Sequence, residues 1–193
     1  MPARPNAIGA AKRRLIADGA HVILTCDTGI TAHDEVVRAN DLGAEVIKVE
    51  TAAGDPERYW TDVAGYDLAL KNGESIIFEA SNRNKKGICL DIHRKRGREI
   101  FVRLIGQADV FLTNLRASTT ARLDIDYETI AGLNSNIIYA GVSGYGPKGP
   151  MSDLGAFDPL GQARSGMMFV TGSAEPTMIH LGVLDQAAAI TVK

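Results

Sequence analysis

Between His21 and Glu50 the chain reads HVILTCDTGITAHDEVVRANDLGAEVIKVE. HVILT (21–25) is a short β-branched run and reads as a strand. DTGIT follows as a loop. HDEVVRANDLG (33–43) has apolar Val36, Val37 and Leu42, early acids and a closing Gly43, which predicts a helix. AEVIKVE (44–50) reads as a second strand. Strand, helix and strand in about thirty residues make a βαβ unit, whose crossover is nearly always right-handed.

The same alternation continues on either side. Residues 7–18 read as a helix closed by Gly19. Residues 51–74 carry Gly, Pro, Asp and Asn with little periodicity and read as a long loop. SIIFEA (75–80) and GICLDI (87–92) are strand candidates. Residues 94–107 are helical, with Ile100, Phe101, Leu104 and Ile105 on one stripe. DVFLTN (109–114) reads as a strand, 118–123 and 126–133 as short helices, and NIIYAGVS (136–143) as a buried strand. A Gly/Pro loop (144–155) leads to helices at 157–169 and 184–192. The fold class is α/β: a Rossmann-like, largely parallel sheet with flanking helices.

Bulk properties set outer limits. The 193 residues suit one domain or slightly more, and 45% hydrophobic with 23% charged residues is an ordinary globular balance. A net charge of -2 lacks the basic excess of a nucleic-acid binder. Cys26 and Cys89 lie far apart, with neither a disulfide framework nor a metal spacing. No apolar run approaches the roughly 18 residues of a membrane helix, and no signal-peptide core follows Arg13 and Arg14. The expectation is a cytoplasmic protein with no nucleic-acid partner, no membrane segment and no bound metal.

Six segments in order carry a family resemblance: DLGAEVIKVE (41–50), NRNKKGICLDIH (82–93), the strand and loop ending at Asn114, RLDIDYETI (122–130), IIYAGVSGYGPKGP (137–150) and FDPLGQARSGMM (157–168). From Asp41 to Thr191 the chain resembles the class III CoA-transferases, the CaiB–BaiF family. The resemblance implies CoA transfer between an acyl-CoA donor and a small carboxylate acceptor, through an aspartyl-CoA thioester. It implies coenzyme A as substrate with no permanently bound cofactor, and a homodimer. HLGVLDQAAA (180–189) aligns with the segment that holds the nucleophile, which places it at Asp185. A carboxylate beside Val183 and Leu184 at a helix start would be partly desolvated, while backbone N–H groups and the helix dipole would keep it ionised. Read locally, the same aspartate is an N-cap or first-turn acid.

The resemblance also assigns CoA contacts. Asn114 and Leu115 match the strand-end pair at the nucleotide portion. Arg122 matches a basic residue near the phosphates, Leu90 an adenine-side contact, and His93 stands where many members have lysine. Locally these are a turn residue, a solvated helix charge and core. The basic cluster His93, Arg94, Lys95, Arg96 and Arg98 reads as a solvated face or as an attractor of phosphate. Related racemases place a histidine before an aspartate ahead of residues 157–169; here the pair is Phe157 and Asp158, and a phenyl ring cannot carry a proton.

Two departures stand out. The usual opening strand and CoA-touching loop are replaced by residues 20–47, which resemble part of the DHH phosphoesterases, a RecJ-type group. There the aspartate of Asp27-Thr28-Gly29 would bind metal, but the DHH triplet is replaced by KVE, and one oxygen ligand makes no hard-metal site. The resemblances meet near Asn40 to Val46, so the chain reads as chimeric. Residues 1–40 are an atypical N-terminal segment completing the βαβ unit, and 41–193 a partial CoA-transferase large domain, truncated relative to the family. The alternatives are a metal-dependent phosphoesterase fragment and a non-catalytic CoA-binding paralogue.

Overall fold

A computed structural model describes residues 22–26, 43–63, 65–172, 174–179, 182–185 and 187. Its centre is a five-stranded sheet of β1 (Val22–Cys26), β2 (Glu45–Glu50), β5 (Lys86–Cys89), β6 (Val110–Thr113) and β7 (Ile138–Gly141). The order across the sheet is β5-β2-β1-β6-β7, and every pairing is parallel. The first three strands step one way from β1 and the last two step the other way. That reversal is the doubly wound Rossmann arrangement, and its switch point lies between the carboxyl ends of β1 and β6. In register, Cys26 faces Thr113, and Thr113 faces Gly141.

The first βαβ reading holds in its strands, since β1 and β2 pair in parallel from Val22 opposite Glu45 to Thr25 opposite Lys48. The helices expected at 7–18 and 33–43, together with Asp27, lie outside the described residues. β1 and β6 are also locked by the Asp109 carboxylate, which accepts the Val22 amide at 2.7 Å.

One strand assignment fails. SIIFEA is not a strand; helix α1 spans Ile76–Asn82. The Ser75 hydroxyl accepts the Phe78 amide and caps the first turn, while Phe78 and Ser81, three apart, turn inward. A local cap and a three-residue burial spacing outweigh the β-branched pair Ile76 and Ile77. The loop at 51–74 contains more order than its composition suggested. It holds a 3-10 turn at Pro56–Tyr59 and a two-residue hairpin of β3 (Asp62–Val63) and β4 (Tyr66–Asp67).

Helix α2 (Lys95–Ile105) crosses from β5 to β6 and supplies the core. Phe101 and Ile105 are fully buried among Leu90, Ala108, Phe111, Ile125, Ile130 and Ile137. Phe101 meets Phe111 edge to face at 6.2 Å between ring centroids. The helix ends on Asn134, whose side-chain amide donates to the Ile105 and Ala108 carbonyls, both at 2.9 Å. α3 (Ala117–Arg122) and α4 (Tyr127–Leu133) follow β6. β7 stands at the sheet's outer edge with Ile138 and Gly141 exposed, so it is less buried than its sequence implied. The helix expected at 157–169 is two helices, α5 (Asp158–Ser165) and α6 (Met167–Thr171), parted by Gly166 at φ 77°. A left-handed residue closes α5 there, a conformation that favours glycine.

The carboxyl end of β2 carries an ionic knot. Glu50 accepts two parallel hydrogen bonds from Arg58, at 2.9 and 2.8 Å, and the Asp55 amide at 3.0 Å. The Arg58 fork is the main cause of a Glu50 pKa below its ordinary 4.5, opposed by burial. A lowered carboxylate pKa stabilises the fold above the unfolded value and ceases to do so as pH falls through the folded one. The urea midpoint of the wild type should therefore drop as pH falls below about 4.5, and the gap between it and Glu50→Gln should close. An unchanging gap down to strongly acidic pH would contradict the assignment.

Candidate functional site

The parallel strands deliver their carboxyl ends to one rim, and the candidate CoA residues follow those ends. Asn114 and Leu115 come directly after β6, beside the switch point. The Leu115 amide donates to Thr113 Oγ1 at 3.2 Å, turning the chain out of the sheet. Both residues are half-buried. Arg122, exposed, ends α3 one short helix later. His93 is exposed in the turn after β5, its amide held by Asp91 Oδ1 at 3.1 Å.

Leu90 behaves differently. It follows β5 but is only 8% exposed and packs into the main core. Its position supports the core reading, with little surface left for an adenine contact.

The basic cluster is partly committed to the fold. Arg98 donates to the Leu123 carbonyl at 2.9 Å and the Asp124 carbonyl at 2.7 Å. Those carbonyls lie at the negative end of α3, which offsets a cation sitting in the first turn of α2. Arg94 lies 3.5 Å from the Asp91 carboxylate, with both side chains largely exposed. The contact between Arg98 and the α3 end brings the first turn of α2 beside Arg122. The outward members of the cluster are His93, Arg94, Lys95 and Arg96, all exposed, while Arg98 is committed to the fold.

Asp185 is held by a second construction. Residues 183–185 are helical, so Asp185 lies in the first turn and is not the cap. The capping oxygen comes from α5: Asp158 Oδ1 accepts the Leu184 amide at 2.5 Å and the Asp185 amide at 3.2 Å. The other Asp158 oxygen accepts the Gln162 side-chain amide. Gln162, fully buried, also donates to the Ile179 carbonyl and accepts the Ile179 amide, each at 2.8 Å. Gly161 completes the fit, because a Cβ there would come 2.7 Å from Leu184 Cδ1.

These contacts correct one electrostatic expectation. The first-turn N–H groups of Leu184 and Asp185 serve Asp158 and leave the Asp185 carboxylate without them. The Asp185 side chain reaches solvent, yet protein crowds one side of its carboxyl. That desolvation is the main cause raising its pKa above the ordinary 3.8, and the Asp158 charge is the second. Gly182, at φ 62°, brings a bare backbone to within ordinary contact of Asp185, with its would-be Cβ 3.4 Å from Oδ2. Such an aspartate is accessible, partly stripped of water and made more basic, which suits a nucleophile.

Three contacts connect this unit to the sheet rim. Arg164 of α5 reaches Met151 Sδ at 3.2 Å and stacks over Tyr145. In the same loop, Asp153 accepts the Ser118 amide of α3 at 3.3 Å. Asp158 was missed in the sequence, where it served only to mark the residue after Phe157. Its available signal was the spacing to Gln162, one helical turn on.

Among the described residues, no group of three or more His, Cys, Asp or Glu side chains is placed to hold a metal, and no helix is long and apolar enough to cross a membrane.

Comparison with known proteins finds the model of CoA-transferase family III matching residues 39–193. The chain is 37% identical over 156 residues to an acyl-CoA transferase of Fusarium pseudograminearum, covering 78% of this chain and 34% of that protein. It is 39% identical over 144 residues to succinyl-CoA:glutarate CoA-transferase of Mus musculus, covering 74% of this chain and 32% of that protein. A CaiB/BaiF family crystal structure from Brucella suis superposes with a TM-score of 0.73 at 30% identity, over 89% of this chain and 46% of that one. The chain thus spans about a third of the length of these curated relatives.

Proposed function

Because the chain belongs to CoA-transferase family III, we propose that it contributes the nucleophile and part of the nucleotide site of an enzyme that moves CoA from an acyl-CoA to a carboxylate acceptor. The observation that carries this reading is Asp185: an accessible carboxylate, desolvated on one side, fixed at a helix start beside a bare glycine.

The Asp185 carboxylate attacks the thioester carbonyl carbon. The C–S bond breaks, and a mixed anhydride and a CoA thiolate result. The thiolate attacks the aspartyl carbonyl and expels the donor's carboxylate, leaving an aspartyl-CoA thioester. The acceptor carboxylate then takes the aspartyl group as a second anhydride, the released thiolate attacks the acceptor's carbonyl, and Asp185 is regenerated. Coenzyme A is a substrate throughout. Asn114, Leu115, Arg122 and His93 are the proposed contacts for its nucleotide end, since all four sit on or beyond the carboxyl rim of the sheet. An exposed guanidinium at Arg122 suits a phosphate.

Trapping tests the reading. Incubation with an acyl-CoA and hydroxylamine should convert Asp185 to its hydroxamate, located by peptide mass spectrometry. A hydroxamate at another residue, or one undiminished in Asp185→Ala, would overturn it.

The partner proposed is a second copy of the chain, supported by apolar side chains on α6: Phe169 is 75% and Val170 86% exposed. Sedimentation equilibrium should give twice the 20.6 kDa chain mass; the single mass at all concentrations would refute it. A cytoplasmic setting belongs to the same reading, and the free, exposed Cys89 suits a reducing compartment.

A further inference from the structure

We infer that Asp158 is a positioning residue for Asp185, its carboxylate acting as a clasp that fixes the turn bearing the reactive side chain. The inference rests on the nucleophile assignment above and adds a residue that touches neither donor nor acceptor.

The geometry requires an acceptor on both sides of the clasp. Oδ1 takes the Leu184 and Asp185 amides, and Oδ2 takes the Gln162 amide nitrogen. Gln162 cannot reverse its amide, because its oxygen already accepts the Ile179 amide while its nitrogen also donates to the Ile179 carbonyl. Asparagine at 158 would keep one acceptor but set its own NH2 against the Gln162 NH2. A carboxylate meets every demand.

Burial makes those demands strict. Asp158 is 8% exposed and Gln162 is 0% exposed, so water cannot readily replace a lost partner. Asp158 is itself the first residue of α5, with Pro159 behind it, so its backbone is held by that helix start. Chain from Ile179 to Asp185 is thereby tied to one short helix at both ends. The side chain of Asp185 leaves that tied turn, and its direction toward an incoming thioester follows from the clasp. Misplacement of about 1 Å in such a geometry can cost about 10²-fold in rate.

The test uses the full chain and two variants, Asp158→Ala and Asp158→Asn, each with intact sheet structure by circular dichroism. Amide hydrogen exchange and the carboxyl 13C resonance of Asp185 are read by NMR, independently of any reaction. The expected result is loss of protection at the Leu184 and Asp185 amides in Asp158→Ala and partial protection in Asp158→Asn. The Asp185 titration midpoint should fall in both variants, since both remove the neighbouring charge. Hydroxamate formation at Asp185 should slow about 10²-fold in Asp158→Ala. Wild-type protection and midpoint in Asp158→Ala would overturn the clasp. Failure of wild-type Asp185 to form any hydroxamate would overturn the nucleophile reading, while the NMR arms would still judge the clasp.

Discussion

Asp185→Asn should lower the rate of hydroxamate formation from acyl-CoA by on the order of 10⁴-fold or more, equivalent to about 5.4 kcal/mol of barrier. The substitution preserves shape. The amides of Leu184 and residue 185 can still donate to Asp158, so the turn stays in place. What is lost is the anionic oxygen that would form the proposed anhydride bond, and a carboxamide does not substitute for it at a thioester carbon. The measurement is hydroxylamine-dependent release of free CoA thiol over a pH series. For the wild type the acidic limb should lie above the ordinary carboxylate range, because desolvation and then Asp158 hold the Asp185 proton more tightly. The linkage sign is opposite to that of Glu50. An acid with a raised pKa in the folded state favours folding most at pH below its unfolded value, and that contribution is lost as pH rises through the folded value. Ionisation needed for the proposed chemistry therefore works against stability. Retained rate in Asp185→Asn, or an acidic limb at or below the ordinary 3.8, would sink the assignment.

Lys48→Met should destabilise the fold by about 3–5 kcal/mol. Lys48 Nζ lies 2.7 Å from Asp55 Oδ2, and the two side chains are 2% and 1% exposed. The ammonium enters the interior from mid-β2, opposite Thr25 on one side and Gly87 on the other. Asp55 also caps the 3-10 turn by accepting the Glu57 amide at 2.9 Å. Without the cation, a buried carboxylate would stand near Glu50 and Glu57 with its charge uncompensated. The double variant Lys48→Met, Asp55→Asn should recover much of the loss, because the asparagine oxygen keeps the cap and carries no charge. Urea unfolding at neutral pH reads both. A loss below about 1 kcal/mol in the single variant would show that the pair contributes no more than a surface contact.

Much of the scaffold was legible because parallel strands buried on both faces concentrate β-branched and apolar residues. VILTC, EVIKVE and VFLT announce themselves in this way. The stripe of Ile100, Phe101, Leu104 and Ile105 was equally plain, and its two most buried members, Phe101 and Ile105, share the main core with Phe111. SIIFEA misled because a three-residue apolar run has no decisive period, and the Ser75 cap acts through one hydrogen bond. Lys48 sat in a strand pattern as an ordinary cation; only the fold of the next loop brings Asp55 over it. The site divides in the same manner. Asp185, Asn114 and Arg122 came from a resemblance carried by ordered segments. Asp158 acts across 26 residues on Leu184, a separation that local pattern does not encode. The DHH-like reading of residues 20–47 places its one acid at Asp27, outside the described residues, while β1 of that segment fills the centre of the sheet between β2 and β6.

The reversal of strand order beside β1 has an evolutionary corollary. In the turn that leaves the rim at Thr113 and Asn114, where the two halves of the sheet diverge, Leu115 packs against the main core while Asn114 and Arg116 do not belong to it. On the proposed reading, substitutions there would change how the nucleotide end of CoA is held while Phe101, Phe111 and Ile130 keep the platform unchanged. Ligand contact and preservation of architecture would then fall to different residues of one small sheet.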